Sequence, residues 1–192
     1  MGELYMKRKH FIQKTVYLLL VSILFITHSM LGQTIKPDSA RTILMVAVSE
    51  AQSSQKNVFL IFHATWCPWC KILETALNDP EIKTLIDNNY IVTFLDVKER
   101  GEKIQTYENP GGNEILANYG GTKSGLPFMV FLNKKGKMIA NSNVMPNKKN
   151  IGYPGSWKEI SAFMKLLKKT ATHITNKQRE VIQSYFVLHK LK

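Results

Sequence analysis

Two cysteines, Cys67 and Cys70, are the only ones in the 192-residue chain, and they stand three positions apart in Thr-Trp-Cys-Pro-Trp-Cys-Lys, residues 65–71. Three chemistries suit such a pair. A structural staple between them closes so small a loop that it removes little chain entropy from the unfolded state. A zinc site needs about four ligands. The chain has no third cysteine, and beyond its N-terminal segment its only histidines are His63, His173 and His189. No metal is expected on these grounds. A reactive dithiol needs one sulfur held as thiolate and a second close enough to attack a mixed disulfide. The N-terminus of a helix favours the thiolate, through its unpaired amides and the positive end of its dipole.

The flanking residues decide how the pair is held. Residues 57–64, NVFLIFHA, are an apolar, β-branched and aromatic run without polar alternation, which reads as a strand covered on both faces. After the cysteines, Ile72, Leu73, Ala76 and Leu77 recur at helical spacing to about Asn78. Cys67 therefore falls where a strand ends and a helix begins, with Cys70 one turn further on. A C-x-x-C pair in that context reads as a redox dithiol.

The remaining elements follow in order. Asp38 is placed to cap a helix in which Ile43, Leu44, Ala47, Val48 and Ala51 form the apolar stripe. Asp79-Pro80 ends one helix and starts another short one. YIVTFLDV, residues 90–97, reads as a second strand, followed by a polar, glycine-punctuated loop and the short helical stretch EILANYG. PFMVFLN, residues 127–133, turns through a Lys-Lys-Gly hairpin into MIANSN. Ser156 with Glu159, and Thr175 with Gln178, are capping boxes for two last helices. No internal repeat or second domain is present. The order predicts an α/β sandwich: a central mixed sheet flanked by helices, with an added terminal helix over 175–192.

Residues 1–32 read as a leader: Lys7, Arg8, Lys9 and Lys14 precede an apolar run from Val16 to Leu31. The run is short for a membrane span. A cleaved signal peptide is the expectation, with an uncleaved anchor as the alternative. The domain is then residues 33–192, exported to the periplasm or the cell exterior. Net charge divides unevenly: +3 over residues 1–32, −2 over 33–132 and +11 over 133–192. An exported chain without arginine–aromatic interleaving is not expected to bind nucleic acid. The basic last third reads as a solvated face, or as a surface drawn to an acidic partner or an anionic lipid surface.

FLIFHATWCPWCK resembles the active-site segment of the thioredoxin superfamily, with Trp66, Cys67, Cys70 and Lys71 matching its Trp-Cys-x-x-Cys-Lys pattern. SGLPFMVFLN resembles the family loop that carries a cis-proline before a central strand, which makes Pro127 that proline and places Leu126 beside it in a substrate groove. The resemblance implies a thioredoxin-like fold over roughly residues 40–170 and a thiol–disulfide oxidoreductase with Cys67 as nucleophile and Cys70 as resolving thiol. It implies no cofactor beyond the dithiol. Its substrates would be protein disulfides or thiols, and a reductase would draw electrons from a membrane partner.

Two departures stand out. Thioredoxin-like reductases carry a buried acid six positions before the first cysteine, where this chain has Ile61. The intervening dipeptide is Pro-Trp rather than Gly-Pro, and such dipeptides bear on redox poise. His63, four residues before Cys67, either modulates the thiolate or is a strand-end histidine bonded to backbone or water. Lys71 is expected to modulate the site as well. Trp66 is expected beside the site, and Trp69 either touches substrate or simply packs. The Gly111-Gly112 and Gly120-Gly121 pairs read as loop punctuation. A different class of function stays open: a thioredoxin-fold peptide-binding or chaperone-like module whose cysteines are incidental.

Overall fold

A computed structural model describes residues 36–171 and 173–190, together with His10, Lys14, Thr15 and Tyr17. The leader expected over residues 1–32 otherwise lies outside the described residues. Among the described residues no helix is long and apolar enough to cross a membrane.

The sheet has four strands: β1 (Asn57–His63), β2 (Tyr90–Asp96), β3 (Phe128–Leu132) and β4 (Met138–Asn141). Their order is β2-β1-β3-β4, with β1 parallel to β2 and antiparallel to β3, and β3 antiparallel to β4. The two central strands are buried along almost their whole length, as their unbroken apolar runs require. Over residues 36–190 the described α-helices are α1 (Ala40–Ser54), α2 (Pro68–Asn78), α3 (Pro80–Asp87), α4 (Lys103–Thr106), α5 (Gly112–Asn118), α6 (Trp157–Thr170) and α7 (Asn176–Leu188).

The alternation of side chains along β1 splits the core in two. Phe59 and Ile61 point to one face, with Leu73 of α2, Ile82 and Ile86 of α3, Phe163 of α6 and Phe186 of α7. Val58, Leu60 and Phe62 point to the other, against Ala47 and Ala51 of α1 and Leu116 of α5. Phe59 lies at the centre of the first layer, stacked on Phe131 at 4.5 Å between ring centroids. The added terminal helix belongs to that layer: Ile182, Tyr185 and Phe186 are buried in it, and α7 packs on α3 and α6.

Both expected capping boxes form, at Ser156–Glu159 and Thr175–Gln178. Asp79 closes α2 and caps α3. One cap differs from expectation. Ser39, not Asp38, accepts the amide of Thr42 at the start of α1. Either side chain can cap, and the one in register with the first turn does so. The polar loop after β2 also contains a single helical turn, α4, which its sequence does not announce.

Candidate active site

Cys67 is the N-cap of α2, with extended backbone and Pro68 at the first helical position. Its sulfur accepts the backbone N–H of Cys70 at 3.1 Å. Cys70 lies one turn on, and the two are joined as a disulfide with 5.3 Å between Cα atoms. Both are buried, at 2% and 3% exposure. The first turn of the helix thus directs an amide donor at the Cys67 sulfur.

The other half of the site arrives from residues some sixty positions later. The Leu126–Pro127 peptide bond is cis, as the resemblance implies. Leu126 packs against the small apolar cluster of Ala64, Cys67 and Cys70. Asn150 Nδ2 donates to the carbonyls of Gly125 and Pro127 at 2.8 and 2.9 Å, which holds this loop from behind.

The two tryptophans have different surroundings. Trp66 is 38% exposed; its indole N–H donates to the Lys98 carbonyl at 2.8 Å, and the Arg100 guanidinium lies 4.0 Å from its ring centroid. Trp69 is 44% exposed and nearly parallel to the Tyr153 ring, 6.5 Å away. Lys71 is exposed on the outer side of α2.

His63 has a partner that the sequence reading does not supply. It is opposite Asp96 in the β1–β2 register, with Nε2 3.3 Å from Asp96 Oδ1. The ring also lies 5.1 Å from Phe94. His63 and Asp96 line a cleft of about 370 Å³ with Cys70, Lys71 and Glu74. Ile61, where thioredoxin-like reductases carry a buried acid, is fully apolar core at 1% exposure. The titratable groups that line this cleft with Cys70 are His63 and Asp96 at the strand ends, Lys71 and Glu74 on α2, and Lys103 and Tyr107 at α4.

The largest omission from the sequence reading is Val-Lys-Glu-Arg, residues 97–100, which follows β2. Glu99, 5% exposed, accepts the amide of Thr65 at 2.5 Å and the Thr65 hydroxyl at 2.9 Å. The Lys98 amine donates to the carbonyls of Thr122 and Ser124 at 3.2 and 2.8 Å. Burial pulls its pKa below the ordinary lysine value. Lys98 itself is left-handed at φ 56°, rare for a residue with a Cβ. Glu99 and Arg100 meet the cysteine turn while Lys98 reaches the loop before Pro127. Among the described residues no group of three or more acidic, histidine or cysteine side chains is arranged to hold a metal ion.

The thioredoxin-like family profile matches residues 41–134, which include the dithiol, the 97–100 loop and Pro127. Over residues 41–134 this is a thioredoxin-superfamily domain. Similar solved structures include a disulphide isomerase from Xylella fastidiosa Temecula1, at 20% identity, covering 78% of this chain and 90% of that one with a TM-score of 0.47. A thioredoxin from Thermus thermophilus is 21% identical over 71% of this chain and 86% of its own, with a TM-score of 0.41. The C-terminal domain of DsbD from Neisseria meningitidis is 23% identical over 55% and 84%, at a TM-score of 0.40. No curated protein matches the chain. In this thioredoxin-like domain the Cys67–Cys70 disulfide supports thiol–disulfide redox chemistry.

Proposed function

We propose that this thioredoxin-like chain is a thiol–disulfide oxidoreductase that acts on protein substrates outside the cytoplasm. The observation that carries the reading is the Cys70 amide directed at the Cys67 sulfur from the first turn of α2. An amide donor and a helix N-terminus both favour negative charge on that sulfur once the disulfide is reduced.

In the reducing direction, the Cys67 thiolate attacks one sulfur of a substrate disulfide, and the other substrate sulfur leaves as a thiolate. Cys70 loses its proton and attacks the Cys67 sulfur of the mixed disulfide. The second substrate sulfur then departs, and Cys67–Cys70 is restored as a disulfide. Two electrons have passed from the dithiol to the substrate. The reverse sequence oxidises a substrate dithiol. Pro127 and Leu126 face the dithiol and receive an extended substrate segment, Trp66 and Trp69 flank it, and His63 and Lys71 modulate the charge at the cleft. The residue types along the leader support export, and sustained reduction outside the cytoplasm needs an electron donor across the membrane. No cofactor is needed beyond the dithiol.

The test is substrate trapping. Cys70→Ser should accumulate mixed disulfides through Cys67, and Cys67→Ser should abolish both trapping and disulfide exchange. Partner binding and phenotype unaffected by Cys67→Ser, with no trapped species, would show that the cysteines are incidental.

A further inference from the structure

A groove away from the dithiol runs along the junction of β4 and α6. Its volume is about 780 Å³. Met138 and Ala140 of β4, then Val144 and Met145, line it together with Trp157 of α6, over whose ring the Lys190 amine lies at 4.4 Å. Three of these apolar residues are markedly exposed: Met138 at 43%, Val144 at 46% and Trp157 at 57%. An apolar cluster left open in this way marks an interaction surface more often than chance.

The opposite wall decides what kind of partner fits. Lys158, Lys165 and Lys169 lie along the groove-facing stripe of α6, with Ala162 and Leu166 between them. Eleven residues of helix set the outer two lysines about 16 Å apart. Among the described residues no acidic side chain lines the groove. Among the described residues the salt bridges are His63–Asp96 and Lys83–Asp87, so none engages these lysines. The one acid on α6, Glu159, is occupied in the capping box, where it accepts the Ser156 amide at 2.9 Å. Lys165 and Lys169 are also a like-charge pair at i and i+4, which weakens an isolated helix. The row thus repels itself within the chain and lacks internal neutralisation.

Charge excludes two occupants. A second copy docked groove to groove would oppose lysine row to lysine row. The chain's own leader carries four basic residues and one acid, so it too is repelled. A single anionic head group would meet one lysine and leave the others unused. A row about three helical turns long, beside an apolar trough, suits a ligand of similar length with charge on one flank and apolar side chains on the other. We propose that the β4–α6 groove docks an acidic amphipathic helix of a partner protein, its apolar stripe on Met138, Val144 and Trp157 and its carboxylates on Lys158, Lys165 and Lys169. Helix-in-groove recognition of this type is read through anchors at i, i+3, i+4 and i+7. The two methionines give the trough side chains that can re-pack around such anchors. This surface is independent of the redox reading.

The test uses the full chain and a fluorescein-labelled peptide of about fourteen residues, with Leu at the apolar helical positions and Glu at the others. Saturable binding is expected, weakened at least about tenfold by K158E/K165E/K169E and by raising NaCl from about 0.02 to about 0.5 M. Met138→Glu, which puts a charge in the trough, should give a similar loss, with far-ultraviolet circular dichroism confirming the fold of each variant. Amide chemical-shift changes should cluster on β4 and α6. The proposal is overturned if the peptide with Lys in place of Glu binds equally well, or if charge reversal leaves binding unchanged. It is also overturned if only phosphatidylglycerol vesicles bind in a lysine-dependent way, which would make the groove a lipid site.

Discussion

The carboxylate of Glu99 grips Thr65 twice, taking its amide at 2.5 Å and its hydroxyl at 2.9 Å. Thr65 is two residues before Cys67, so a side chain from the loop after β2 fixes the start of the redox turn. Removing it strands a part-buried donor: Glu99→Ala should destabilise the fold by about 1 kcal/mol, the low end of the cost of leaving an amide unpaired. Urea unfolding measures this. A midpoint equal to the parent's would mean that water replaces the carboxylate without loss.

The two sulfurs should differ in reactivity once reduced. Cys67 is the N-cap and receives the Cys70 amide, whereas Cys70 stands one turn further along the helix. Limiting iodoacetamide at neutral pH should therefore label Cys67 first, as read by peptide mass spectrometry. Equal labelling, or Cys70 first, would contradict the assignment of nucleophile.

The fold should weaken in alkali. Burial, and then the Asp79 carboxylate beside it, push the Tyr185 phenol up to about 12. Burial raises Tyr90 further still, against the opposing hydrogen bond between its hydroxyl and that of Thr170 at 2.7 Å. In the unfolded chain a tyrosine ionises near about 10. Their contribution is therefore fully present below about pH 10 and is lost as pH rises through the folded-state value, toward about 12 for Tyr185. Equilibrium unfolding across pH 9–12 should show that decline, and Tyr185→Phe should make it shallower. An identical slope in the variant would remove Tyr185 from the account.

Gly121 should tolerate no side chain. A Cβ there would lie 2.2 Å from Leu116 Cδ1 and 2.8 Å from Phe128 Cδ1, both in the core. Gly121→Ala should cost about 1–3 kcal/mol by overpacking. Calorimetry or urea unfolding reads it directly, and an unchanged stability would require the Leu116 side chain to swing aside at no cost.

Much of the domain was legible because its signals are local. Caps, breaker dipeptides and unbroken apolar runs are properties of neighbouring residues, and they placed β1, β3, α2, α6 and α7 closely. The dithiol was legible for the same reason, since a strand, two cysteines and a helix are contiguous. What escaped depends on tertiary placement. Glu99 lies in a polar stretch that reads as solvent-facing, and only the approach of that loop to Thr65 buries it at 5% exposure. His63 meets Asp96 because the β1–β2 register sets them opposite each other, and register is not written in either strand alone. By sequence the Gly120-Gly121 pair reads as loop punctuation. Gly120 does supply a left-handed turn at φ 80°, but Gly121 is required by packing against Leu116 and Phe128. The size of a neighbouring side chain across the core leaves no trace in a two-residue motif.

The family profile ends at residue 134, yet Phe163, Leu167, Ile182 and Phe186 on α6 and α7 complete the layer around Phe59. The stretch that shared ancestry makes visible is thus smaller than the stretch that must melt as one. A boundary drawn from resemblance would cut through the aromatic stack and give a fragment with half an interior. For anyone dividing this chain for expression, the cooperative unit runs to the end of the last helix, and that helix is a keystone rather than an appendage.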